Sequence, residues 1–341
     1  MKKKVIIIAE AGVNHNGDFE NAKKLILVAA NAGADYVKFQ TFKADKLVSK
    51  DAQKADYQKA NLKEDGDSQH YMLKKLEMSE AWHYELIKYA NYCGIKFLST
   101  GFDEDSIDFL DSLNIDLFKV PSGEITNKPY LEHIAKKGKP IVISTGMSSM
   151  QEIKEAVEVI RNQQIAKNKI IILHCNTEYP TPLQDVNLLA MNSIQNELGL
   201  EVGYSDHTLG IEVPIAAVAL GAVLIEKHFT LDRNMVGPDH MASLTPDELK
   251  QMVTSIRNIE LAISGSGVKE VSDSERKNIA IVRKSLHYNT DLLKGDIIEK
   301  KHFSILRPGS GISPMMYEEV IGKKLSVNVF KNNLIKLTDF E

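Results

Sequence analysis

From residue 5 to about residue 263 the chain alternates between short apolar runs and amphipathic segments, and this constrains its fold more than any other feature. The apolar runs are Val5–Ala9, Tyr36–Phe39, Lys96–Leu98, Leu117–Val120, Ile141–Ile143, Ile170–Leu173, Glu201–Gly203 and Val223–Ile225. They are rich in Val, Ile and Leu and lack a polar alternation, as expected of strands buried on both faces. Between them lie helical patterns such as Asn21–Asn31, Trp82–Tyr92, Gln151–Arg161 and Pro246–Ile263. Strands alternating with helices imply parallel pairing through right-handed crossovers. Eight such units match the roughly 250 residues of a (β/α)8 TIM barrel. The competing α/β architecture, a doubly wound open sheet, wants a glycine-rich turn after the first strand and a site at one switch point. Here no such turn follows the first run, and all eight runs end in polar residues.

Two departures from the repeat predict further structure. Between the second run and its helix, residues 42–79 form a long polar insertion with a Lys/Asp/Gln-rich stretch from Lys50 to His70, read as a lid over the barrel mouth. After Ile263 the pattern breaks into Ser264-Gly265-Ser266-Gly267 and a charged run, then into short β-like pieces with turns from Ser285 to Glu341. The expected organisation is a catalytic barrel over 1–263, a linker over 264–284 and a small β-rich domain over 285–341. A domain that small is marginal by itself.

Composition narrows the class of function. The 341 residues carry a net charge of −4, so no basic excess points to nucleic acid or to an anionic membrane surface. Two cysteines, Cys93 and Cys175, are too few for a disulfide framework and fit a reducing compartment. Met1-Lys2-Lys3-Lys4 followed by Val5–Ala9 has the outline of a signal peptide, but the apolar run stops at Glu10, too short for one. No stretch is apolar enough to span a membrane. The expectation is a soluble, cytoplasmic protein.

In a barrel the reactive groups sit where strands end and loops begin. Lys38 and Lys119 stand among apolar neighbours at two such ends, with Thr100, Ser122 and Ser144 on nearby ones. A buried ammonium is costly unless paired. Two together with hydroxyls suit a phosphate or carboxylate, although a Schiff-base lysine of an aldolase fits the same pattern. His207 and His228 end adjacent strands beside Asp206 and Glu226, a pattern suited to a divalent metal with open positions. Glu10, Glu124 and Asp239 are candidate general acids or bases, with locking a lysine in place, or capping a loop for Asp239, as the structural alternative. Arg307, before Pro308-Gly309-Ser310-Gly311, would otherwise pass for a solvated charge.

Taken together, these strings resemble the bacterial sialic acid (nonulosonate) synthase family over essentially the whole chain. The matching pieces include Glu10-Ala-Gly-Val-Asn-His-Asn-Gly17, Val37-Lys-Phe-Gln-Thr41, Pro121-Ser-Gly-Glu124, His174-Cys-Asn-Thr-Glu-Tyr-Pro180, Tyr204-Ser-Asp-His-Thr208, Glu226-Lys-His-Phe229 and Arg307-Pro-Gly309. Gly101 departs from the proline or alanine common at that place in the family. The resemblance implies that His207 and His228 bind Mn2+, with Mg2+ or Co2+ as alternatives. It implies that Lys38, Thr100, Lys119, Ser122, Ser144, Asn176 and Thr177 hold phosphoenolpyruvate, and that Gln40, Phe102, Tyr179 and Asp239 line the sugar side. Glu10 or Glu124 would guide the water. The C-terminal part resembles the family's antifreeze-like (SAF) domain, which implies a domain-swapped homodimer with Arg307 reaching the sugar's N-acetyl group. The implied reaction is condensation of phosphoenolpyruvate with N-acetylmannosamine to give N-acetylneuraminate, an N-acetylneuraminate synthase. N,N'-diacetyllegionaminate synthesis from a 2,4-diacetamido-2,4,6-trideoxymannose is the alternative, and a Schiff-base aldolase or a docking module the more distant ones.

Overall fold

The computed structural model describes residues 4–62 and 68–341, so Met1 to Lys3, and residues 63–67 of the insertion, lie outside it. Two compact units emerge, Met1–Gly265 and Ser266–Glu341.

In the first unit the described residues form eight parallel strands: β1 (Ile6–Gly12), β2 (Tyr36–Thr41), β3 (Lys96–Gly101), β4 (Phe118–Val120), β5 (Ile141–Ser144), β6 (Ile170–Cys175), β7 (Glu201–Asp206) and β8 (Leu224–His228). Ladders run from β3 through β2, β1, β8, β7, β6 and β5 to β4. Strands β3 and β4 lie side by side, so the sheet is a nearly closed barrel. Most strands run one to three residues past the apolar runs.

The helices form where the sequence supplies both an apolar stripe and its stops. Phe19–Ala32 starts at Asp18, whose carboxylate accepts from the Asn21 amide, and ends at Gly33 with φ 82°. The left-handed turn there suits a residue without a Cβ. Leu25, Ile26 and Ala29 on its inner face are fully buried against the barrel. Pro246–Ala262 begins with a capping box between Thr245 and Glu248 and with Pro at its first turn.

The insertion folds as three short helices, Ala44–Leu47, Asp56–Leu62 and Gln69–Leu76. They build a satellite apolar cluster of Phe42, Leu62, Met72 and Leu76 with Val13. The polar appearance of this segment therefore hides an apolar face.

The second unit pairs β9 (Ser285–Tyr288) antiparallel with β10 (Phe303–Leu306) around its own core of Leu286, Tyr288, Ile298, Val320, Leu325, Val329 and Ile335. The stretch expected as a linker over 264–284 belongs largely to this unit. It carries two helical turns, Asp273–Arg276 and Ile279–Val282, and the Gly309 amide donates to the Ala280 carbonyl at 2.7 Å. No helix of the described residues is long and apolar enough to cross a membrane.

Candidate active site at the barrel mouth

Strand parity decides which polar residues meet. Successive side chains of a strand point to opposite faces, so residues two apart share one. On β8, Glu226 and His228 face inward while Lys227 faces the helices. On β7, Ser205 faces inward and Asp206 outward. Lys227 and Asp206 form a fully buried ion pair behind the barrel wall, with Lys227 Nζ also donating to the Thr208 carbonyl at 2.7 Å. Asp206, which the sequence set beside His207 as an oxygen donor, is thus spent on Lys227 and on Thr208, whose amide it accepts at 3.0 Å. Lys227→Met strands a buried carboxylate and should cost about 3–5 kcal/mol in urea unfolding. Pairing it with Asp206→Leu should recover most of that loss.

The inward residues converge on a cavity of about 620 Å³, within the size range of small-molecule sites. At its floor four charges interlock. Lys38 Nζ lies 2.7 Å from Glu10 Oε2 and 3.5 Å from Glu226 Oε2, and donates to Thr100 Oγ1 at 2.9 Å. Lys119 Nζ lies 3.7 Å from Glu226 Oε1, which also accepts from Ser205 Oγ at 3.2 Å. All four charged residues are at most 4 % exposed. Burial pushes the Glu10 carboxyl up to about 7, since the pull of Lys38 does not offset it and the Glu226 charge adds to it. Burial acts on Glu226 too, but Lys119 and Lys38 outweigh it and hold that carboxyl below its ordinary value. Burial lowers the Lys119 ammonium, whereas Glu10 and Glu226 outweigh burial at Lys38 and raise it. The floor thus holds two cations against one firm anion and one carboxyl poised near neutrality. Ser144 Oγ is buried there without a hydrogen-bond partner among the described residues, so it is free for a ligand.

A loop closes over this floor at Gly146. Its amide donates to Ser122 Oγ at 3.0 Å. A Cβ at that position would meet Thr177 Cγ2 at 2.5 Å, so only glycine lets these loops approach.

At the ends of β7 and β8 the imidazoles of His207 and His228 lie with ring centroids 5.4 Å apart. Tyr179 stacks on His207 at 3.9 Å. Burial holds His207 down to about 4 and His228 well below its ordinary value, so both are neutral, the form that binds a metal. His207 Nδ1 donates to the Asn176 carbonyl, which fixes the tautomer and frees Nε2. His228 Nδ1 is buried without a hydrogen-bond partner among the described residues, 3.9 Å from Asp239 Oδ2. These two nitrogens fit a divalent ion. Among the described residues no group of three His, Cys, Asp or Glu side chains gathers around one point, so the chain itself offers two imidazoles and leaves the other positions open.

Of the residues expected at the site, Gln40, Phe102, Glu124 and Asp239 also line the cavity. Asp239 is 7 % exposed and burial raises its carboxyl to about 7. It precedes the turn His240–Ala242 but makes no side-chain capping bond, so capping is not its role. Glu124 is tied to Asn127 at 2.7 Å. Asn176 does not line the cavity: its side chain accepts from the Glu178 amide at 2.8 Å within its own loop, and it serves the site through His207. Arg307 is an exposed residue of the second unit, just past β10. Sequence reasoning had noticed Glu226 only as a neighbour of His228, and it missed Ser205 and Leu47, Val48, Met72, Leu73 and Leu76 of the insertion, all of which line the cavity.

The NeuB family model matches residues 25–269, and the SAF domain model residues 283–341. The chain is 53% identical to the N,N'-diacetyllegionaminic acid synthase of Campylobacter jejuni, over 98% of this chain and 99% of that protein. It is 52% identical to the enzyme of the same name from Legionella pneumophila, over 95% and 91% of the two chains. Among solved structures it resembles the N-acetylneuraminic acid synthetase of Leptospira borgpetersenii in complex with citrate, with TM-score 0.71, 33% identity and coverage of 81% and 90%.

Proposed function

This chain belongs to the NeuB family of sialic acid (nonulosonate) synthases, and on that premise we propose that it condenses phosphoenolpyruvate with 2,4-diacetamido-2,4,6-trideoxymannose to give N,N'-diacetyllegionaminate and phosphate. The observation that carries the chemistry is the buried Lys38–Glu10–Glu226–Lys119 floor, with a free Ser144 hydroxyl, sharing one cavity with two neutral imidazoles. The sugar follows the two relatives above, at 53% and 52% identity, so N-acetylmannosamine, the first expectation from sequence, yields to its alternative.

Lys38 and Lys119 bind the phosphate as point charges, and Ser144 and Ser122 supply hydrogen bonds. C3 of phosphoenolpyruvate forms the new bond to C1 of the open-chain sugar, whose carbonyl oxygen takes up a proton. Water adds at C2, loses a proton, and the C2–O bond to phosphate breaks. A divalent ion, which we assign as Mn2+ on His207 and His228, polarises the sugar's aldehyde when bound. Glu10 lies at the floor beside Lys38 and is placed to hold the proton of the water, which the more open Glu124 is not. We further propose a homodimer in which Arg307 meets an acetamido group of the sugar. Sedimentation of an active monomer would end that part.

Phosphate release tests the reading. It is expected with phosphoenolpyruvate and the diacetamido sugar, faster than with N-acetylmannosamine, and lost on chelation. The opposite sugar preference would overturn the choice of substrate. If Glu10 acts ionised, kcat/KM rises about tenfold per pH unit below 7 and levels off above it, whereas Glu10→Gln flattens the profile at a low rate.

A further inference from the structure

Resting on the reaction just proposed, we infer that Leu47, Val48 and Leu73 of the insertion form a specificity wall that reads C6 of the sugar and selects a 6-deoxy hexose. These three residues line the cavity while staying partly exposed. Phe42, Met72 and Leu76 line the same side of the cavity and are buried in the satellite cluster that packs the insertion against the barrel mouth. Val13 and Phe102, from the loops after β1 and β3, join the same cluster, which puts the wall on the β1–β3 side of the cavity. The imidazoles belong to other strand ends, after β7 and at the end of β8.

The contrast with the rest of the cavity carries the inference. Floor and histidine wall are lined by charge and hydroxyls, with hydrogen-bonding groups to spare. The Leu47–Val48–Leu73 face has none in its side chains. A hydroxymethyl at C6 pressed against it would lose water without gaining a partner, which is unfavourable. A methyl group there buries apolar area instead. The acetamido and hydroxyl groups of the sugar have other surfaces to use, including Gln69 beside the wall. An apolar pocket discriminates against an added hydroxyl by about two orders of magnitude at most.

The test uses two sugars that differ by one oxygen, N-acetylmannosamine and 2-acetamido-2,6-dideoxymannose, and reads the ratio of their kcat/KM values. The unaltered protein should favour the 6-deoxy sugar by about 10- to 100-fold. Leu73→Gln and Leu47→Gln should each cut that ratio at least several-fold while leaving the KM for phosphoenolpyruvate within about twofold. Val48→Thr keeps the side-chain shape and carries the test should either glutamine variant fail to fold. A ratio near one in the unaltered protein, or a ratio unmoved by all three changes, overturns the wall. Failure of the proposed substrate looks different: the diacetamido sugar would then be poorer than N-acetylmannosamine even though the matched pair still shows a 6-deoxy preference.

Discussion

Lys38→Met is expected to lower kcat/KM for phosphoenolpyruvate by about three orders of magnitude, because one side chain both binds the phosphate and neutralises the floor. Its ammonium touches Glu10, Glu226 and Thr100 at once. Removing it takes a cation from the leaving phosphate and leaves two carboxylates facing Lys119 alone. Glu226, held below its ordinary value by both lysines, keeps its charge on Lys119. Glu10, already pushed up to about 7 by burial, loses the attraction that restrained it and takes a proton. The stability cost of the variant therefore depends on pH. Below 7 the protonated carboxyl sits in its buried place at little expense. Above 7 the variant must keep on Glu10 a proton that the unaltered protein has lost, and unfolding should become easier by about 1.4 kcal/mol per pH unit until Glu10 ionises. Urea titrations at pH 6 and pH 8 separate this from a general packing defect, which would be the same at both. Lys38→Arg should not rescue turnover, since the broader guanidinium does not fit a point-charge position only 2 % exposed. Retention of a tenth or more of the activity in Lys38→Met would move the phosphate elsewhere.

The barrel was legible because its strands are buried on both faces. Such strands read as unbroken Val/Ile/Leu runs, and a lysine inside one, as at Lys38 or Lys119, is conspicuous for its cost. The histidine pair was legible for the same reason, standing at two adjacent strand ends. Side-chain parity was the information left unused. Counting alternate residues back from His228 puts Glu226 inward and Lys227 outward, and a matching count on β7 sends Asp206 to Lys227 and away from His207. Asn176 was expected among the phosphoenolpyruvate ligands, and its contact with His207 was not legible because it is made by a main-chain carbonyl, which any residue type carries. The apolar wall eluded it for another reason. Leu47, Val48, Met72 and Leu73 are scattered among lysines and acids, and become a surface only when short helices turn them to one side. On our proposal the sugar is read at that surface, which is why composition and spacing left it open between two substrates.

His207→Ala is the other change expected to act by three orders of magnitude, and it should do so by a separate route. The ring is fixed from two directions: Nδ1 donates to the Asn176 carbonyl, and Tyr179 stacks on its face. Its neutral Nε2 therefore points where a ligand can use it without reorganisation. Among the described residues no group of three His, Cys, Asp or Glu side chains gathers there, so losing either imidazole removes half of the pair assigned to the ion. Several kcal/mol of carbonyl polarisation go with it. Calorimetry should show Mn2+ binding lost in His207→Ala and in His228→Ala. Phosphoenolpyruvate binding should stay within a few-fold of the unaltered protein, since Lys38, Lys119 and Ser144 are untouched. Tyr179→Leu removes the stacking alone and should weaken Mn2+ binding far less than loss of the imidazole does. Should His207→Ala keep its Mn2+ affinity while turnover disappears, the imidazole would be handling protons at the sugar, and the assignment of the ion to this pair would be wrong.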